Sequence, residues 1–323
     1  MKEWLLDFLC CTSCKGNLQL DGQVYNHGEI EAGRLKCCQC SRIFTIDKFI
    51  PRFTDSDEYV SNFSFEWNKH ATTQYGELSR RTFFEKTGLS KKDIDGKVVF
   101  DAGCGSGRFS DVVSQNCEKV VAADLSYSID AAFSQLGSRS NVSFVQCDLL
   151  NLPFKPQVFD IAFSIGVLHH TRNPKEAAKQ ISQTIKSDGT MAIWVYAHWS
   201  EINEIGRFHR TFARWSYAAS DVYRVFTTRL SNASLYKLIK ALSFIFYLKQ
   251  KNKFAYLFDL IFPSSNSADY EMWLLDTFDW YSPKYQYKLT YAEVMAWYNE
   301  FGFKQLEKLE SPVAVRGRLR DRL

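Results

Sequence analysis

An α/β fold, with a mostly parallel sheet covered by helices and a small cysteine-rich head in front of it, is predicted by three features of this sequence. Strand-like and helix-like segments alternate from Gly96 to Tyr196, as they do where crossover helices join parallel strands. A glycine loop, Asp101-Ala102-Gly103-Cys104-Gly105-Ser106-Gly107, links the first of those strands to its helix. Glycines at such a point let backbone approach a ligand closely. Six of the nine cysteines fall within the first forty residues.

The chain has 323 residues, 46% hydrophobic and 24% charged. That length and composition suit one large domain with something smaller attached, and a sizeable core. A net charge of +4 is too mild to argue by itself for nucleic acid. The first residues, Met1 to Asp7, carry early acids and no apolar core, unlike a signal peptide. The longest apolar runs, such as Ala241 to Leu248, fall far short of the ~20 residues that span a bilayer. A cytoplasmic protein is expected, with its cysteines as metal ligands or buried thiols, not disulfides.

The head contains two C-x-x-C pairs, Cys11 with Cys14 and Cys37 with Cys40. A two-residue gap lets both thiolates of a knuckle reach one ion, so two knuckles make a closed Cys₄ site for structural Zn²⁺. Cys10 and Cys38 fall outside that frame and are expected not to ligate. Turns are predicted at Asp21-Gly22 and His27-Gly28, with hairpin strands around them. So short a segment cannot build a core alone, and metal would supply its folding energy. The stretches Leu9 to Leu18 and Leu35 to Phe53 resemble the small zinc-ribbon family related to the activating partner of translation-linked methyltransferases. Thr12 stands where that family often has Pro, and Phe49 where Gly is usual.

In the core, Val98-Val99-Phe100 runs into Asp101 and the glycine loop. Arg108 stands where a dinucleotide motif would put its third glycine. The next strand, Val120 to Ala123, ends in Asp124, an acid able to accept both hydroxyls of a ribose, and Ser126 is expected to cap the following helix. A third strand, Val142 to Cys147, ends in Asp148-Leu149. A fourth, Phe159 to Ser164, opens into Ile165-Gly166-Val167-Leu168-His169-His170. Asn173-Pro174 starts a helix that is expected to reach Ile185, and Ser187-Asp188-Gly189 turns into a fifth strand, Thr190 to Tyr196. These strand ends share the carboxyl edge of the sheet, where such folds bind ligands.

This set of motifs, over roughly residues 96 to 196, resembles class I S-adenosylmethionine (SAM) methyltransferases, in the broad group that includes the ubiquinone-biosynthesis enzymes. The resemblance implies a Rossmann-like seven-stranded sheet with a reversed final strand. It implies SAM as cofactor, held by Asp101, Gly103, Gly105, Gly107, Asp124, Leu125, Asp148, Leu149 and Ile165. Asp148 would accept from the adenine amino group. His169 is read as the residue beside the methyl group, as base or shaping residue, and His170 as closing the turn. The loop after strand four lacks the Asn/Asp-Pro-Pro-aromatic motif of many nucleic-acid amino methyltransferases, which argues against base methylation. N-terminal helices lie over the cofactor in many relatives of this class, making Trp67, Gln74 and Tyr75 further candidates.

From Glu201 to Phe262 the pattern is helical, aromatic and basic. Such a cap could rest on a membrane surface or bind an anionic, lipid-linked substrate. The segment Trp273 to Gln286 resembles one that recurs among methyltransferases of similar layout. Its Trp273, Asp276, Asp279, Trp280 and Tyr281 are expected to wall an acceptor pocket. Thr290 and Glu293 form a capping box, and Gly302 stops that helix. The expected division is a zinc ribbon (1–54), a linker with helices (55–95), the SAM-binding core (96–200), the cap (201–288) and the last helix and strands (289–323). The expected function is methyl transfer to a small-molecule, saccharide or lipid-linked acceptor, with nucleic acid disfavoured. The alternatives are an RNA or translation-factor methyltransferase guided by the ribbon, and a non-catalytic SAM-binding protein.

Overall fold

A computed structural model describes residues 1–54, 61–64, 76–201, 207–251, 259 and 261–319, without the side chains of 207–213. Trp67, Gln74 and Tyr75 lie outside the described residues. The head supplies strands β1 (Leu18–Asn26), β2 (Glu29–Cys37), β3 (Ile43–Asp47) and β4 (Ile50–Arg52). The rest of the chain supplies β5 (Val98–Ala102), β6 (Lys119–Asp124), β7 (Val142–Gln146), β8 (Phe159–Ile165), β9 (Ile185–Trp194), β10 (Phe303–Lys308) and β11 (Ala314–Leu319). All eleven belong to one sheet, in the order β1-β2-β3-β4-β7-β6-β5-β8-β9-β11-β10.

Strands β7, β6, β5, β8 and β9 are mutually parallel. Every residue of β5 and of β7 is buried, as expected for parallel strands covered on both faces. Strand β11 runs antiparallel to both of its neighbours, so the seven-stranded sheet with its reversed strand is present. Helices α1 (Glu77–Thr87), α2 (Lys91–Ile94), α3 (Arg108–Ser114), α4 (Ser128–Leu136) and α5 (Pro174–Gln183) flank it. The cap contains α6 (Arg207–Thr227), α7 (Asn232–Ala241), α8 (Phe244–Lys251) and α9 (Tyr270–Tyr281), and α10 (Tyr291–Glu300) precedes the last strands. Among the described residues, no helix is long and apolar enough to cross a membrane.

The head continues the core sheet. Arg52 of β4 pairs with Gln146 of β7 in parallel. The Arg52 guanidinium donates to Gln146 Oε1 and to Asp130 Oδ1, each at 2.7 Å. Phe8 stacks on Phe159 at 5.7 Å and Phe49 on Phe133 at 5.2 Å. One apolar cluster therefore joins Leu5, Leu9, Leu35 and Ile46 of the head to Phe100, Val121 and Phe159 of the core. Helices α5 and α10 pack on that same face, while α1, α3 and α4 cover the other.

Several local expectations change. The Asp21-Gly22 turn is a bulge inside a continuous β1, with Gly22 at φ +61° and the register shifting there. Strand β9 starts at Ile185, two residues after α5 ends at Gln183, so the expected turn at 187–189 lies within the strand. The N-cap position of α4 is Tyr127, without a side-chain bond, but Ser126 Oγ one residue earlier accepts from the Ser128 N–H at 3.3 Å, the first of the helix. The same hydroxyl donates to Asp124 at 2.6 Å. The capping box of α10 forms as expected, and Gly302 follows the helix at φ +91°.

Candidate active site

A cavity of about 310 Å³ opens at the carboxyl ends of the parallel strands, roofed by α1 and α9. Gly103, Gly105, Asp124, Leu125, Asp148, Leu149 and Ile165 all line it. The loop conformation demands its glycines. Gly103 sits at φ +90°, and a Cβ there would lie 2.4 Å from Val167 Cγ1. Asp124 Oδ2 accepts from the Gly105 N–H at 2.9 Å, and Oδ1 accepts from the Ser126 N–H at 2.8 Å. This carboxylate therefore ties the end of β6 to the glycine loop. Burial pushes its pKa upward, against those hydrogen bonds.

Asp101 and Gly107 do not line the cavity. Asp101 is 1% exposed and accepts from Ser110 Oγ at 2.7 Å, joining β5 to the first turn of α3. Burial raises it to about 7. Gly107 begins α3 at φ +89°, where a Cβ would meet Ala132 Cβ of α4 at 3.1 Å. Both residues hold the loop in place from behind. Asp148 Oδ1 accepts from the Leu150 N–H at 2.9 Å.

The other half of the cavity is built chiefly from Lys86, Arg108, His170, Trp194 and Tyr196, of which Lys86, Trp194 and Tyr196 are distant in sequence from the glycine loop. Lys86 Nζ lies 3.0 Å from the Trp194 ring centroid. Burial lowers its pKa to about 7, with Arg108 adding to the fall, while the Trp194 face favours the ammonium and works the other way. The folded chain thus holds fewer protons at Lys86 than the unfolded chain between about pH 7 and the ordinary lysine range, so stability should rise with pH across that window. Lys86→Met should remove that rise. Urea midpoints at about pH 7 and pH 9.5 test it, and parallel pH dependences in both proteins would contradict the burial of this charge.

His169 was expected beside the reacting group, and the structure corrects this. It is fully buried behind Tyr196, stacking on that ring at 3.9 Å. Its Nδ1 accepts from the Tyr196 N–H at 3.3 Å, while its buried Nε2 has no hydrogen-bond partner among the described residues. His170 lines the cavity instead. Its Nδ1 is 2.9 Å from the Tyr285 carbonyl. A carbonyl only accepts, so Nδ1 carries the proton and the neutral ring leaves Nε2 as an acceptor. Nε2 lies 3.9 Å from Asp279 Oδ1, and burial lowers the pKa of the ring.

Helix α9 divides the five residues expected to wall an acceptor pocket. Asp276 and Asp279 face the cavity with Met272 and Leu275. Burial raises Asp276 to about 6, against a bond from Ser265 Oγ at 2.9 Å. Asp279 accepts from the Tyr196 hydroxyl. Trp273 and Tyr281 are corrected to the cap core, both fully buried beside Phe278. Trp280 borders a different cavity. The signal was present in the spacing: positions 272, 275, 276 and 279 form one helical stripe. Lys86, Trp194 and Tyr196 carried no such signal, because only the fold brings α1 and the end of β9 together.

In the head, the sulfurs of Cys11, Cys14, Cys37 and Cys40 all lie within 4.8 Å of one another. Cys11 and Cys40 are 3.6 Å apart, and Cys14 and Cys37 are 3.4 Å apart. A tetrahedral zinc with its usual Zn–S bonds has sulfurs about 3.8 Å apart, so the group fits such an ion. The two knuckles share one turn geometry. Lys15 and Ser41, which follow Cys14 and Cys40, adopt φ +59° and +58°. Their N–H groups bond the carbonyls of Cys11 and Cys37. The Cys40 and Gln39 N–H groups point at Cys37 Sγ and hold its thiol down to about 6. Cys10 is buried, and Cys38 donates to Gln19 outside the cluster.

Comparison with known proteins agrees with this layout. The family described as "Methyltransferase domain" matches residues 100–193, and the family of Trm112p-like proteins matches residues 2–48. The "Probable tRNA methyltransferase 9B" of Bos taurus is 31% identical over 105 residues, 32% of this chain and 22% of its own length. The tRNA U34 carboxymethyltransferase of Campylobacter lari is 28% identical over 162 residues, 46% of this chain and 55% of its own length. The chain thus spans about a fifth and about half of these two relatives. A solved complex containing the Haloferax volcanii Trm112 methyltransferase activator aligns with TM-score 0.46 and 12% identity, covering 81% of this chain and 99% of that one. The names of these two relatives overturn two expectations, a small-molecule, saccharide or lipid-linked acceptor with cap-to-membrane contact, and the disfavouring of nucleic acid: both are tRNA enzymes. One chain here carries a Trm112p-like amino-terminal domain joined to a methyltransferase domain.

Proposed function

We propose that this protein transfers the methyl group of SAM to an acceptor atom of a transfer RNA. The observation that carries the reading is the convergence of the glycine loop, Asp124, Asp148 and Ile165 on one cavity, within a domain of methyltransferase type. The RNA half of the reading draws on the relatives, which are named for tRNA. The donor set suits a nucleoside. Two carboxylates, Asp124 and Asp148, stand beside the apolar Leu125 and Leu149. Asp124 would accept from the ribose hydroxyls, and Asp148 from the adenine amino group. Asp101 and Gly107 act one layer behind, holding the loop.

When bound, SAM supplies an electrophilic methyl group on a sulfonium. What the chain must do is align an acceptor and exclude water, which together supply much of the rate of an in-line displacement. Trp194, Leu275 and Phe63 give that half of the cavity apolar walls. An acceptor that must lose a proton needs a nearby base. His170 Nε2, beside Asp279 and Tyr196, is the group suited to take it, in place of His169. Cys11, Cys14, Cys37 and Cys40 would hold Zn²⁺ in a closed structural site that keeps the head folded and docked. Calorimetric titration with SAM tests the cofactor half, and transfer of labelled methyl to tRNA tests the acceptor half.

A further inference from the structure

A second cavity, of about 360 Å³, lies against the first. Trp194 and Tyr196 line both, so their two rings, 5.6 Å apart and edge to face, form a partition between them. Tyr217 of α6 and Trp280 of α9 complete an aromatic wall. Polar groups are few. Lys288 sits at the cavity with its ammonium 2.7 Å from Asp221 and 4.7 Å from the Tyr217 ring centroid. The Gln286 carboxamide lines the cavity and makes no hydrogen bond among the described residues.

Flat aromatic faces with one unengaged carboxamide match the chemistry by which proteins hold a single unstacked base. The rings stack on either face of the base, and the amide can both donate to and accept from its edge. The volume is at the small end of ligand sites and admits one such ring system. A charge already paired with Asp221 would add little attraction for a phosphate. An apolar peptide side chain could use the same walls but would leave the Gln286 amide unpaired.

We propose that the second cavity receives an unpaired base of the RNA next to the methylated one, stacked on Trp280 and Tyr217 and read at its edge by Gln286. The two nucleotides would then straddle the Trp194–Tyr196 partition. This inference rests on the RNA reading above.

The test uses the full chain saturated with S-adenosylhomocysteine and titrated with a fluorescent single-stranded RNA heptamer of mixed sequence. Trp280→Ala and Tyr217→Ala should each weaken RNA binding about tenfold, with cofactor affinity and melting temperature unchanged. Gln286→Ala should leave stacking intact and narrow the affinity differences among heptamers of different sequence. Should Tyr217→Ala or Trp280→Ala melt early, Tyr217→Phe and Trp280→Phe, which keep a ring, should bind RNA like the wild type. RNA bound equally well by the wild type and both alanine variants would overturn the second site while leaving the RNA reading in place. Failure of the wild type to bind any RNA would overturn both. An apolar peptide that quenches Trp280 fluorescence in the wild type, with RNA having no effect, would assign the cavity to a protein segment and overturn the base-binding proposal.

Discussion

Asp124→Ala is expected to lower SAM affinity by at least about 100-fold. The carboxylate can accept two ribose hydroxyls, and hydrogen bonds to a charged group contribute about 1.5–3 kcal/mol each. The side chain also holds the Gly105 N–H at 2.9 Å and the Ser126 N–H at 2.8 Å, so its loss loosens the loop that faces the cofactor. Asp124→Asn keeps one acceptor oxygen and should lose roughly tenfold. Calorimetric titration of both variants, with far-ultraviolet circular dichroism to check the fold, measures the effect. Unchanged affinity in the alanine variant would remove the ribose assignment.

Cys37→Ser should abolish zinc binding at the four-cysteine cluster and lower the melting temperature sharply. The expected loss is several kcal/mol, because a structural zinc site supplies folding energy outright. The effect should not stay in the head. Strand β4 adds to the edge of β7 through Arg52 and Gln146, and the head's Leu5, Leu9 and Ile46 share a core with Phe100 and Phe159. Unfolding the head would expose that face of the methyltransferase sheet. Elemental analysis of the purified protein should find one zinc per chain, and a chelator should reproduce the melting shift of the variant. A metal-free wild-type protein with an unaltered melt would contradict a zinc-dependent head.

The features legible in the sequence were those with short-range signals. Val98 to Gly107 announced a strand and a loop with φ values that favour glycine. The C-x-x-C pairs announced a four-sulfur cluster, and Thr290 with Glu293 announced a helix start. What stayed hidden depends on contacts between distant segments. Nothing local in Ile50-Pro51-Arg52 says that it will pair in parallel with Gln146. His169 and His170 are adjacent in one turn, and only the packing of Tyr196 decides which is sealed away. Lys86 looks like an ordinary helix surface lysine until Trp194 meets it. On α9 the helical period marks positions 272, 275, 276 and 279, whereas Trp273 and Tyr281, for all their aromatic character, pack in the cap core.

Transfer to tRNA can be read in one assay. Purified protein is incubated with SAM carrying a labelled methyl group and with unmodified total tRNA, the RNA is digested to nucleosides, and the label is located by chromatography. Label is expected in a single tRNA nucleoside, dependent on Asp124, with S-adenosylhomocysteine released in equal amount. Label recovered only in lipid, saccharide or protein fractions of a whole-cell extract, with none in RNA, would contradict transfer to tRNA.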